Sequence, residues 1–188
     1  MKTLLSLFIF LFVLTSAGFC QRNPASYSIG LDISKPVYFS YGNTSSAMGI
    51  GLNLNREKKL GKRFSWTAGI GFNYFSGNFH YYKFTNGTGD TISKNFAILP
   101  IVTGFKYHFA ENFFMQFQGG VAAGISKNTG TEFVLIPSIG YVLPTPKPKI
   151  ELALQLANVI QGFGIAENNS LSNGGYGYWS FRIAYHFR

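Results

Sequence analysis

Phe64-Ser65-Trp66-Thr67-Ala68-Gly69-Ile70-Gly71-Phe72-Asn73-Tyr74 is the stretch on which the fold turns. Phe64, Trp66, Ala68, Ile70, Phe72 and Tyr74 share one parity, and Ser, Thr, Gly and Asn occupy the other. A helix needs apolar spacing near 3.6 residues, whereas a period of two is the signature of a strand. The pattern recurs where Met48, Ile50, Leu52 and Leu54 alternate with Ala47, Gly49, Gly51 and Asn53. It returns in Trp179, Phe181, Ile183, Tyr185 and Phe187 near the end. Marking such runs predicts eight strands, at 26–34, 46–55, 64–80, 93–109, 113–126, 132–143, 149–163 and 176–187. Within 93–109 the continuous apolar run Ile98 to Val102 leaves the parity open. Pro100 and Pro137 predict bulges or weakened pairing, because proline has no N–H to give a ladder.

The slim face separates membrane from water. A soluble sandwich also alternates, but its solvent face carries Lys, Glu, Arg and Thr. Here that face is mainly Gly, Ala, Ser, Asn and Gln with isolated charges, which suits a narrow lumen where eight strands converge. Large apolar groups on the other face suit lipid. A sheet spanning hydrocarbon must have no edge, since each unpaired backbone group there costs several kcal/mol. The expected fold is therefore all-β: an eight-stranded antiparallel up-and-down transmembrane β-barrel. The connections support it by alternating in kind. Segments 42–45, 85–91, 127–131 and 166–175 are neutral, whereas 56–63, 110–112 and 144–148 are charged or proline-rich. Four outer loops and three inner turns follow, with both termini in the periplasm. Tyr27, Phe39, Tyr41, Phe113, Phe114, Tyr176 and Tyr178 are expected in interfacial girdles. The competing architecture is a soluble periplasmic β-barrel holding a lipid-like ligand.

Residues 1–20 read as a secretory signal: Lys2, an apolar core from Leu4 to Leu14, then Thr15-Ser16-Ala17-Gly18. That core is about half of the roughly 20 residues a spanning helix needs. Residues 21–188 form the single barrel domain. Cys20 lies at the junction, and lipidation there would favour a small residue where Phe19 stands. A cut before Gln21 leaves a mature chain without disulfides. Charged residues are 12% of the chain against 18% aromatic, a share too low for an ordinary soluble surface. The net charge of +9 gathers in Arg56, Lys58, Lys59, Lys62 and Arg63 and in Lys147 and Lys149. These lie in turns without interleaved aromatics, so no nucleic-acid partner is expected. They read as solvated turns in reach of anionic headgroups.

The Leu99-Pro100-Ile101 run leading to Phe105-Lys106-Tyr107-His108-Phe109, and the closing Phe181-Arg182-Ile183-Ala184-Tyr185-His186-Phe187-Arg188, resemble small outer-membrane barrels of the PorT-like and OmpX/OmpA-barrel type. The resemblance spans the mature chain and departs from the pattern in ending on Arg188 rather than an aromatic. It implies residence in the outer membrane, lipid and the barrel-insertion machinery as partners, and no cofactor.

Parity places Asp32, Lys106, His108, Gln116, Gln118, Glu132, Glu151, Gln155, Arg182 and His186 on the inner face. Buried charges must be paired. Asp32, Glu132 and Glu151 are expected to pair with Lys106 and Arg182 and plug the lumen; the alternative sets some of them at wet rims. An eight-stranded interior leaves room for side chains alone, against a general porin. Gly-x-Ser-x-Gly and His-Glu-x-x-His are absent, and Gly49-Ile50-Gly51 and Gly69-Ile70-Gly71 sit inside strands with no helix following. His80, His108 and His186 are too scattered to predict a metal site. Asn-x-Ser/Thr matches at Asn43, Asn86 and Asn168 need no more than loop composition. The functional expectation is a non-enzymatic outer-membrane protein with a structural or surface-interaction role; the alternative is a narrow channel or carrier for a small apolar or ionic solute. No extracellular ligand is legible.

Overall fold

Backbone pairing closes the chain on itself. The computed structural model describes residues 25–38, 48–76, 82–85, 88–91, 95–125, 131–145, 149–160 and 176–187. Ten strands occur among them: β1 (Ser26–Tyr38), β2 (Met48–Lys59), β3 (Phe64–Ser76), β4 (Tyr82–Thr85), β5 (Thr88–Thr91), β6 (Phe96–His108), β7 (Phe113–Gly124), β8 (Thr131–Val142), β9 (Lys149–Ile160) and β10 (Tyr176–Phe187). Eight of them form one closed antiparallel barrel in the order β1-β10-β9-β8-β7-β6-β3-β2, and β2 pairs back onto β1. β4 and β5 pair only with each other, so the predicted loop 85–91 is largely a hairpin within the β3–β6 connection. Residues 1–20, Cys20 included, and the outer loops 42–45 and 166–175 lie outside the described residues.

The short connections 60–63, 109–112 and 143–148 lie at the end where β1 starts and β10 finishes, here the terminal end. The other connections lie at the opposite, loop end, and none of them is shorter. The predicted turn 56–63 is shorter than expected because β2 runs through to Lys59, pairing Lys59 with Ser65 and Glu57 with Ser26. Those added residues keep the alternation, and Glu57 faces inward.

The two prolines act as predicted on pairing but make no bulge. The β3–β6 ladder skips Gly71 and Phe72 beside Pro100, and the β8–β9 ladder skips Ile136 and Pro137. In each case the register resumes unshifted. Pro100 and Pro137 keep their places opposite Ala122 and Phe117 on the other side, where the missing N–H is not required.

Alternation then sorts the side chains. Most outward residues on the barrel strands are apolar, and many are bare: Leu31, Ile50 and Phe105 are 65%, 67% and 59% exposed. Each Å² of apolar surface left in water forgoes about 25 cal/mol, so hydrocarbon is the solvent this wall matches. Aromatic rings collar its terminal end. Tyr27 stacks on Phe187 at 6.3 Å, Phe64 meets Tyr107 at 4.7 Å, and Phe113 touches both Phe109 at 6.0 Å and Tyr141 at 4.7 Å. Two residues expected in such a girdle are elsewhere: Phe114 and Tyr178 have even parity and are buried in the lumen. Phe39 and Tyr41 lie outside the described residues.

The inner face is less slim than its glycines predict. At the loop end Phe75, Ile98, Val102, Ala122, Val134, Ile136, Ala157, Val159 and Tyr178 form an apolar cluster inside the barrel. Glycines make the room: Phe75 faces Gly49 and Phe114 faces Gly140 across the neighbouring strand, and a Cβ on either glycine would strike the phenyl ring.

A backbone constraint gives the first test. A Cβ on Gly104 would run into the Phe117 carbonyl oxygen and lie 2.7 Å from the Gln118 Cα, whereas one on Gly61 meets nothing within 4 Å. Gly104→Val should abolish the heat-modifiable, fast-migrating folded band on unboiled gels, and Gly61→Ala should leave it intact.

Candidate functional site: the ionic lumen

Below the apolar cluster, toward the terminal end, the lumen is polar and charged. Asp32 on β1 stands opposite Arg182 on β10 in the register, which fixes the pair before any side chain is placed. The guanidinium donates from Nε to Asp32 Oδ1 at 2.8 Å and from Nη2 to Oδ2 at 3.0 Å. This two-pronged geometry is the strong form of such a pair. Asn53 Nδ2 adds a donation to Oδ2 at 3.0 Å, and Asn55 Nδ2 donates to Asn53 Oδ1 at 2.7 Å.

One level nearer the terminal end Lys106 reaches across the lumen. Its ammonium donates to Glu57 Oε2 at 3.1 Å on β2 and to Glu151 Oε2 on β9. It also lies 4.0 Å from the centroid of the Phe114 ring, a cation–π contact. Lys106 is only 3% exposed. His186 Nε2 is 3.0 Å from Glu151 Oε2, and His108 Nε2 is 3.8 Å from Glu57 Oε1. Gln116 and Gln118 both donate from Nε2 to Thr67 Oγ1, at 3.4 and 3.3 Å. The remaining space is small: a cavity of about 20 Å³ beside Asp32, Asn53, Gln118 and Arg182, and one of about 10 Å³ beside Glu57, Lys106 and Glu151. A cavity of that order holds about one water.

Four of the five residues predicted to form the lumen network thus fall into two ion-pair groups, Asp32–Arg182 and Lys106–Glu151. Glu132 does not join them. It faces inward at the loop end of β8, opposite Ala122, on the far side of the apolar cluster. It is half-buried and has an interaction of its own. Glu57 takes the place expected for it. Its parity was the available signal, hidden because the charged run that follows reads as a turn.

Glu57, Glu151 and His186 present ligand atoms within 4.8 Å of one another. That is the spacing of a metal site assembled from residues scattered in sequence. The Lys106 ammonium, however, already bonds both carboxylates and supplies the cation they need.

The closed sheet and its apolar outer wall together define an eight-stranded transmembrane β-barrel. Solved structures of that class are similar to it. Ail, the attachment invasion locus protein of Yersinia pestis, solved in complex with the heparin analogue sucrose octasulfate, is 16% identical over 89% of this chain and 100% of that one, with a TM-score of 0.50. The outer membrane enzyme PagL is 14% identical over 84% of this chain and 97% of that one, with a TM-score of 0.52. Neisserial surface protein A is 12% identical over 87% and 97%, at 0.50. These likenesses concern the fold. No family model and no curated protein matches the sequence.

Removing one partner of a buried ion pair strands the other. Lys106→Met should therefore cost about 3–5 kcal/mol in reversible urea unfolding from lipid vesicles. Adding Glu57→Gln and Glu151→Gln to that variant should restore more than half of the loss, because no uncompensated carboxylate then remains.

Proposed function

We propose that this chain is a non-enzymatic integral protein of the outer membrane whose lumen is plugged and whose role is structural or surface-interacting. The observation that carries the reading is the two-part filling of the lumen: an apolar cluster at the loop end above cross-barrel ion pairs at the terminal end. A solute would have to displace both. The hairpin β4–β5 adds support, since the longest described connection at the loop end spends its length on a built element. Among the similar folds are an attachment protein and a surface protein, which fits this role. PagL is an enzyme, and this chain departs from a surface catalyst in one respect. Both described histidines are turned into the lumen, against Glu57 and Glu151, and not toward lipid. The narrower kinship with PorT-like and OmpX/OmpA-type barrels rests on residues 99–109 and 181–188. Export by residues 1–20 and assembly by the barrel-insertion machinery belong to the same reading.

Planar-bilayer recording tests it. The wild-type barrel should give no large, stable conductance steps, and Phe75→Ala with Tyr178→Ala should give at most brief, small events while the ion pairs stay. Large steady steps from the wild type would favour the channel reading. Release from membranes by alkaline carbonate without detergent would return the chain to a soluble barrel.

A further inference from the structure

The outer wall carries a feature the lumen does not explain. One row of outward residues runs in register across four adjacent strands: Arg56 on β2, Ala68 on β3, Thr103 on β6 and Gly119 on β7. The rows on either side are bulky. Ile70, Ile101 and Val121 flank it toward the loop end, and Trp66, Phe105 and Phe117 toward the terminal end. An apolar groove therefore crosses the wall between two ridges. Its one hydroxyl is turned away from lipid, since Thr103 Oγ1 donates to the Thr67 carbonyl at 3.0 Å.

The groove has a direction. Arg56 is three residues from the end of β2 at Lys59, while Gly119 is six residues from the start of β7 at Phe113. The row thus climbs from the terminal rim toward mid-barrel. Three strand-to-strand steps of about 4.8 Å give it a length of roughly 14 Å. With strands tilted about 35–45° the row gains about 8–10 Å of depth, within the half of a hydrocarbon core about 30 Å thick that one acyl chain occupies.

Its foot is cationic. Arg56 is exposed, beside Tyr27 of the aromatic collar in the register, and meets no acidic side chain among the described residues. Lys59, Lys62 and Arg63 are exposed close by. The one acid of this hairpin, Glu57, is turned into the lumen and held by Lys106, so it does not screen the outer cations. We propose that this groove is a binding site for one anionic phospholipid of the leaflet at the terminal end, with Arg56 on the phosphate and one acyl chain along Ala68, Thr103 and Gly119.

Native mass spectrometry of the full-length, detergent-folded barrel tests this with phosphatidylglycerol and phosphatidylcholine of identical chains. Gel mobility checks that every variant is folded. The wild type should retain one phosphatidylglycerol about five-fold over phosphatidylcholine, the preference one interfacial cation confers. Arg56→Gln should bring the ratio close to one. Ala68→Phe with Thr103→Phe should fill the groove and lower retention of both lipids while leaving their ratio. The preference should survive Lys62→Gln with Arg63→Gln. Equal retention by the wild type, a preference that outlasts Arg56→Gln, unchanged retention by the filled groove, or loss of preference through the turn pair alone would each overturn the site.

Discussion

A lysine ammonium buried inside the barrel is the constraint around which the rest is arranged. Lys106 projects from β6 and binds Glu57 on β2 and Glu151 on β9, strands that are not its neighbours in the sheet. Removing a charge from water costs several kcal/mol unless partners surround it. Each partner here comes from a different stretch of sequence, so no local segment satisfies the lysine. Only the closed wall does. His186 and His108 back the two carboxylates, and the Phe114 face covers the cation from a further strand. The inner charges on the described residues near Lys106 and Arg182 are three carboxylates, Asp32, Glu57 and Glu151, against two cations.

Above this level the same narrow space is filled without charge. The cluster at the loop end is apolar apart from the Tyr178 hydroxyl, and the bulk of Phe75 is admitted by Gly49 standing opposite its ring. The barrel is thus apolar on its outer wall, apolar in one half of its interior, and ionic in the other half. Cross-strand alternation generates all three regions from one backbone, because parity decides the side and strand level decides the half.

Much of this was legible in the amino-acid order. The period of two, recurring in runs from 26–34 to 176–187, accounts for the barrel's eight strands and its lipid face, since alternation depends on local spacing alone; only the apolar run Ile98 to Val102 left parity open. Shared inner parity groups Asp32, Glu132 and Glu151 with Lys106 and Arg182, but which acid meets which cation is set by register. What escaped was whatever depends on where a strand stops. The charged run after Arg56 imitates a turn, so β2 was cut short and Glu57 was lost from the network. Glu132 shares the inner parity of Lys106 but not its level, and level is fixed by register, which distant pairing sets. The inward placement of Phe114 and Tyr178 escaped for a related reason. Large rings read as lipid-facing until the glycine across the strand shows that there is space inside.

The two interruptions beside Pro100 and Pro137 fall between β3 and β6 and between β8 and β9. They divide the cylinder into a panel of three staves (β6, β7 and β8) and a panel of five. Both joints border the apolar filling, with Pro100 near Val102 and Pro137 next to Ile136, and Pro100 also lines the small cavity beside Asp32 and Arg182. Among the described residues the ladder is broken along these two seams and along none of the other six, so local opening of the wall is expected to begin there.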